Sequence, residues 1–575
     1  MKWRWSHILL TVFGGLTVLL LAAPVRSLAS MDLGAEQSCN QYMAPKKTIG
    51  GKPVGQELCK MREIEFEFLG RKFKRVEMGV TGTLEGYTLK DPTGRYANYF
   101  NVYPEFVYPQ GGEEDKPVFH GIGRYTMESG HSMALIFPAD RAQWNGKLFL
   151  HNHGAGRSFA RGNARAWDRE FDPQDTAGGL QDLERYIQTW MEKGYAVAMT
   201  RRSSLMQGGD LDVVLDDGTV LHDRNLTEQP PWMMDMGKLA GNLLRERMGA
   251  VPSRTYWYGH SGGARPGRMV NYKAGINIDT DGSPIIDGII VDDAGSGLWV
   301  PIAFKDGLDT VLMTDEQKGH FVPMIEIGHM LYVNETPDDP PAWRGGNNFL
   351  ANKRINAKTL IEKGLGNKFR YYEVDGISHS SGSAFSADSQ PSGIDLDLLM
   401  EGVTDLLDAW VEKGVAPPPT RSDWKVLGDA NKDGVIENPA IDMPEVSCPL
   451  GVFHIYGSSP QDVGSTQYKP FNATGKLTLE PLDARGGFVD EGSDAHNYSR
   501  GFVDMNHNGI RDFVETTTEA WQRVGLIKPN ESFNRERYVQ CVRQASDKLV
   551  SEGLFMSRTL DKYLQKSRSL PLPEK

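Results

Sequence analysis

Tyr256-Trp257-Tyr258-Gly259-His260-Ser261-Gly262-Gly263 is the stretch that decides the architecture. An aromatic run, Arg254 to Tyr258, has the character of a buried strand. It stops at a G-x-S-x-G turn, and Ala264 to Tyr272 then reads as a helix, with Pro266 confined to the first turn where its missing N–H costs little. A strand that turns sharply into a helix places a serine at the tip only if nothing bulky crowds the bend. Gly259 and Gly263 remove the Cβ atoms that would do so. The competing reading is a glycine-rich turn with no chemistry.

Outward from this turn, strands and helices alternate. Upstream, Trp144-Asn145-Gly146 marks a turn, Lys147 to Leu150 a strand, and His151-Asn152-His153-Gly154-Ala155-Gly156 a loop of small and polar residues. A helix over Leu180–Lys193, a strand over Tyr195–Thr200, a Gly- and Asp-rich loop over Gly208–Asp223 and a helix over Met234–Met248 follow. Downstream, strands are expected at Ile285–Val291, Val322–Gly328 and Arg370–Val374, then a closing helix at Asp395–Lys413. This alternation predicts an α/β fold, a mostly parallel sheet with helices on both faces. Glu63 to Phe137 carries β-formers with period-2 alternation, clearest in Ile64-Glu65-Phe66-Glu67-Phe68. It is either a separate N-terminal β-layer or the first strands of the same sheet.

The ends of the chain carry different signals. Lys2, Arg4 and His7 precede the apolar run Ile8–Ala23, and Ser27-Leu28-Ala29 supplies small residues for cleavage. That is the pattern of a signal peptide, with an uncleaved anchor as the alternative. The expected mature protein is secreted or periplasmic, with no membrane segment. The organisation follows as 1–29 signal peptide, 30–140 β-rich segment, 141–416 catalytic domain and 417–575 C-terminal region after Pro417-Pro418-Pro419, with a final helix over Asn534–Leu554. The chain has 575 residues and a net charge of -12, which argues against nucleic acid or an anionic membrane surface as the main partner. Its four cysteines pair most naturally as Cys39–Cys59 and Cys448–Cys541 in an exported chain, unpaired thiols being the alternative.

Two calcium loops are expected beyond residue 417. Asp504-x-Asn506-x-Asn508-Gly509-Ile510-x-Asp512-x-x-Glu515 has oxygen donors at each ligand position, with Ile510 contributing its carbonyl and a helix following over Val514–Val524. Asp429-x-Asn431-x-Asp433-Gly434-Val435 begins the same way, but position 12 is Ala440, with Asp442 as a substitute. An Asx-rich surface turn is the metal-free reading of either. Bound calcium there would be structural, and no cofactor is expected for catalysis.

Strand, G-x-S-x-G, helix and a late strand–loop–histidine resemble the α/β-hydrolase superfamily, over about residues 147–413. The Trp144-Asn145-Gly146 turn, the His/Gly loop and the aromatic strand distantly resemble its tannase and feruloyl-esterase branch, without the cysteine pair that flanks the catalytic residues in much of that branch. The resemblance implies a serine esterase. Ser261 would be the nucleophile and His379, after Gly376-Ile377-Ser378, its base. The N–H groups of Gly262 and of Gly154 or Ala155 would form the oxyanion hole. The acid is open among Asp292 or Asp293, which end one strand, Glu335, late in the loop after another, and a carboxylate elsewhere in the chain. An ester, small or polymeric, is the expected substrate. A peptidase or amidase with the same triad, and an inactive hydrolase fold used for binding, are the alternatives.

Overall fold

The computed structural model describes residues 37–42, 48–49, 52–53, 58–68, 70–90, 118–125, 132–153, 185–201, 212–215, 220–221, 229–260, 263–272, 277–294, 302–305, 308–311, 318–329, 349–376, 394–422, 436, 438–454, 467–470, 516–570 and 572. Nine strands position the site. They are β1 (Leu58–Phe68), β2 (Arg71–Lys90), β3 (Ser132–Pro138), β4 (Lys147–His153), β5 (Ala196–Arg201), β6 (Arg254–His260), β7 (Gly288–Asp292), β8 (Met324–His329) and β9 (Phe369–Val374). In space their order is β1-β2-β3-β5-β4-β6-β7-β8-β9. The pairs from β1 through β3 to β5 are antiparallel, and all later pairs are parallel. The β-rich N-terminal segment therefore joins the parallel sheet through β3, so the second of its two readings holds.

Local sequence explains each half. In β1, Ile64 and Phe66 are buried while Glu65 and Glu67 are exposed, and Phe66 stacks on Phe73 of β2 at 5.8 Å. The parallel strands are covered on both faces and so lose this alternation. Every residue of β7 and β8 is buried.

Helices α1 (Arg185–Glu192) and α5 (Leu396–Lys413) cover one face. Phe149 stacks on Trp190 at 4.1 Å, the Trp190 indole N–H donates to Thr404, and the Tyr256 hydroxyl donates to Asp408 at 2.6 Å. Helix α2 (Gln229–Met248) covers the other face with α3 (Ala264–Tyr272), and α4 (Phe349–Leu360) packs against β8 and β9. There Leu148, Leu150, Trp257 and Ile289 share a core with Leu239, Leu243 and Leu244. Asp395 caps α5 by accepting from the Leu398 N–H, and Gly414 ends it in the left-handed region at φ 66°.

Some boundaries differ from expectation. The segment read as a loop over Gly208–Asp223 contains two short strands, Asp212–Leu215 and Val220–Leu221, paired antiparallel. Val213, Val214 and Leu215 are β-formers, and Asp216-Asp217-Gly218 between them has hairpin-turn chemistry that composition alone hid. Helix α2 starts at Gln229 because Pro230 and Pro231 fall in its first turn, where proline is tolerated. The final helix stops at Ser551, and a further one, Ser557–Ser569, follows it. No helix among the described residues is long and apolar enough to cross a membrane.

The C-terminal region is fastened to the sheet. Tyr372 donates to the Pro418 carbonyl and Arg370 to that of Pro417, so the proline linker lies along β9. Arg421 then exchanges backbone hydrogen bonds with Tyr371 and Glu373. A Cys448–Cys541 disulfide joins the turn at Pro444–Ser447 to the helix Arg535–Ser551. Cys39 is buried and also disulfide-bonded, while the side chain of Cys59 lies outside the described ones.

Two buried carboxyls sit in this seam. Asp375, just past β9, accepts from the Ala440 N–H at 2.8 Å, and Glu445 accepts from the Asp395 N–H at 3.0 Å. Burial pushes Asp375 up to about 7, with Glu373 adding to the effect, and pushes Glu445 up to about 6 against the pull of Lys566. Both values exceed the unfolded ones, so the stabilisation is complete below about pH 4 and is lost as pH rises through 6 and 7. For Asp375 the loss is on the order of 4 kcal/mol. The melting temperature should fall between pH 5 and pH 8. Asp375→Asn, which keeps an acceptor for Ala440, should flatten that fall; an identical slope in the variant would refute the assignment.

Candidate active site

Strand β6 and helix α3 are joined by a bend with no spare room. A Cβ on Gly259 would lie 2.2 Å from the Gly263 carbonyl oxygen, and one on Gly263 would lie 2.3 Å from the Asn152 carbonyl oxygen. Backbone fills both places, so only glycine fits. In the sequence, Ser261 and Gly262 separate the end of β6 from Gly263. Asn152 belongs to the end of β4, which is in register with β6. Asn152 pairs with Gly259 and His153 with His260, so β4 continues through His151–His153, which the sequence pattern assigns to a loop, and ends level with the end of β6. The chain leaves β4 toward β5 and leaves β6 toward β7, in opposite directions. In open α/β sheets, the crevice at such a divergence, outside the carboxyl ends of the strands, is where ligands bind.

A polar cluster lies at the same level, on the face shared by Tyr258 and His260. Asp292, fully buried at the end of β7, accepts from the Tyr258 hydroxyl at 2.6 Å and pairs with His260 Nδ1 at 2.9 Å, both through Oδ2. His329 Nε2, at the end of β8, stands 2.8 Å from Oδ1. Burial alone would raise the Asp292 carboxyl. The facing imidazoles of His329 and His260 outweigh it and hold the group well below the usual carboxylate range. Ionised, Asp292 only accepts, so Nδ1 of His260 carries the proton. Asp293 turns the other way. Its backbone is left-handed at φ 46°, its carboxylate pairs with Lys353, and it accepts from the His329 N–H at 3.0 Å.

The chain has the α/β-hydrolase fold. The tight strand–turn–helix bend, set in a mixed sheet at the point where the connections diverge, decides it. No family model matches the chain, and no curated protein does. Among solved structures, LpqC, a poly(3-hydroxybutyrate) depolymerase from Bordetella parapertussis, is 13% identical over 62% of this chain and 91% of its own, with a TM-score of 0.26. Esterase B from Lactobacillus rhamnosis is 14% identical over 49% and 82%, with a TM-score of 0.28. Esterase 2 from Thermogutta terrifontis is 14% identical over 50% and 91%, with a TM-score of 0.27. Likeness at this level says nothing of chemistry, which has to come from the chain's own residues.

Of the expected site residues, Asp292 and Asp293 are placed as above, in the hydrolase sheet. Ser261, Gly262, Gly154, Ala155, Glu335 and His379 lie outside the described residues, as do both calcium loops, Asp504–Glu515 and Asp429–Val435. Asp442, the substitute ligand of the second loop, forms an ion pair with Lys548. The helix after the first loop begins at Thr517, where Thr516 and Glu519 form a reciprocal capping box.

The sequence gives His260, His329, Tyr258 and Lys353 no role of their own. Their signal is alternation: positions 258 and 260, 290 and 292, and 327 and 329 face the same side of three adjacent parallel strands. Arg268 of α3 adds a second clamp on the opposite face. It pairs with buried Glu326 of β8, which Asn356 also reaches at 3.3 Å, so the helix after the bend is anchored too.

Proposed function

We propose that this hydrolase-fold chain cleaves carboxylic esters through a covalent acyl-enzyme. The observation that carries the reading is the close approach of Gly259 to Gly263, the two glycines of the G-x-S-x-G motif, which only glycine permits and which supports Ser261 as the nucleophile. Ser261 Oγ attacks the ester carbonyl while His379 removes its proton, since a serine hydroxyl is a weak nucleophile without an adjacent base. The N–H groups of Gly262 and of Gly154 or Ala155 bind the oxyanion as it forms. His379 then passes the proton to the departing alkoxide, and water, activated by the same imidazole, releases the acid and frees Ser261.

Glu335 is assigned to orient His379. The other two acid candidates are already committed: Asp292 to Tyr258, His260 and His329, and Asp293 to Lys353 and the His329 N–H. The substrate class is an ester, small or polymeric, and the signal-peptide pattern at the N-terminus supports action outside the cytoplasm.

Labelling with a fluorophosphonate tests this reading. Active protein should take up one label per chain at Ser261. An inactive fold used for binding would take up none. Turnover of p-nitrophenyl esters without cleavage of peptides separates an esterase from a peptidase.

We also propose structural calcium in the Asp504–Glu515 loop, whose donor set suits a hard cation. The loop lies just before the helix Thr517–Arg523, whose Trp521 is buried and donates to the Pro449 carbonyl next to the disulfide. Excess EDTA should lower the melting temperature, and added calcium should restore it. Identical melting curves would remove calcium from the account.

A further inference from the structure

We infer that Asp292, His260 and His329 form a brace across the ends of β6, β7 and β8, with both histidines acting as positioning residues for the Ser261 reaction. The inference rests on the ester-hydrolase reading above. Three observations carry it. First, Asp292 holds β6 at two points on one face, through Tyr258 and through His260, and His260 is the residue immediately before Ser261. Hydrogen bonds to an ionised, buried acceptor are short and roughly twice as strong as neutral ones, so the start of the bend is fixed by its side chain as well as its backbone.

Second, the same carboxylate faces His329, the last residue of β8, at 2.8 Å. The backbone of His329 is held as well. Its N–H donates to Asp293 at 3.0 Å, and its carbonyl accepts from Lys353 at 3.4 Å. The loop to Glu335 starts here. One carboxylate therefore ties together the origins of the two turns that would carry the nucleophile and the acid.

Third, the rings are used differently. His260 engages through Nδ1 and His329 through Nε2. This makes the brace testable by shape. The amide nitrogen of asparagine stands near where Nδ1 of histidine would be, and that of glutamine near Nε2.

The experiment measures kcat and KM for a p-nitrophenyl ester, together with melting temperature and fluorophosphonate labelling. His260→Asn and His329→Gln should stay within about fivefold of wild type. His260→Gln and His329→Asn should lose on the order of 10²-fold in kcat with KM little changed, the effect of displacing a reacting group by about 1 Å. Asp292→Asn, close in shape to the native residue and expected to fold, should lose about 10- to 100-fold by the same ratio at pH 7 and pH 9. Four variants that all match wild type would overturn the brace. So would four that fall alike, because contact with substrate would ignore the Asn/Gln distinction. A larger loss in Asp292→Asn that recovers at alkaline pH would make Asp292 the triad acid and sink the proposal. Failure of wild-type protein to label would overturn the ester-hydrolase reading instead, whatever the variants do.

Discussion

Ser261→Ala should abolish ester turnover while leaving the melting temperature within a degree or so of wild type. Removing the nucleophile of an acyl-enzyme mechanism costs about 10⁵-fold or more in kcat, because base and acid then have no hydroxyl to act on. That is roughly 7 kcal/mol of barrier. A residue proposed to carry so much chemistry should carry little stability. Alanine keeps the Cβ and makes the same backbone demands as serine, and the close approach beside it is set by Gly259 and Gly263. Fluorophosphonate incorporation should fall from one label per chain to none. Retained labelling in Ser261→Ala would place the nucleophile elsewhere.

The largest effect on stability should come from the Cys448–Cys541 disulfide. It closes a long loop, with a sequence separation of 93. In the chain-entropy description such a cross-link stabilises by roughly 3–5 kcal/mol, mainly by restricting the unfolded chain. The bond also ties the segment carrying Glu445, which receives the N–H at the start of α5, to the helix Arg535–Ser551. Reduction, or paired replacement of both cysteines by serine, should lower the melting temperature by several degrees. The C-terminal helices should become sensitive to protease before the sheet does. A melting curve unchanged by reductant would mean that the other contacts along this seam suffice.

The fold was legible where local chemistry and final environment agree. The run Tyr256-Trp257-Tyr258 is apolar throughout because both faces of β6 are covered, and Gly259 and Gly263 occur at the spacing the bend requires. The alternation in Ile64-Glu65-Phe66 was legible for the opposite reason, one face being wet. The brace was not legible. His260, Asp292 and His329 meet only because β6, β7 and β8 share a register, and no window of sequence contains that register. The hairpin around Val213 and Val220 was hidden by its acidic turn. The docking of Glu445 on α5 and of Ala440 on Asp375 depends on tertiary contact alone.

The short parallel bridge between Arg421 and Tyr372 has a practical consequence. Among the described strands β9 ends the sheet, and without residues 417–422 its outer N–H and C=O groups would lie open. An open row of that kind recruits strands from other molecules. A shortened version made to retain only the sheet and its covering helices should therefore keep residues up to Ser422, whose hydroxyl also donates to Glu373. Cutting at the prolines instead would turn a guarded border into a template for aggregation.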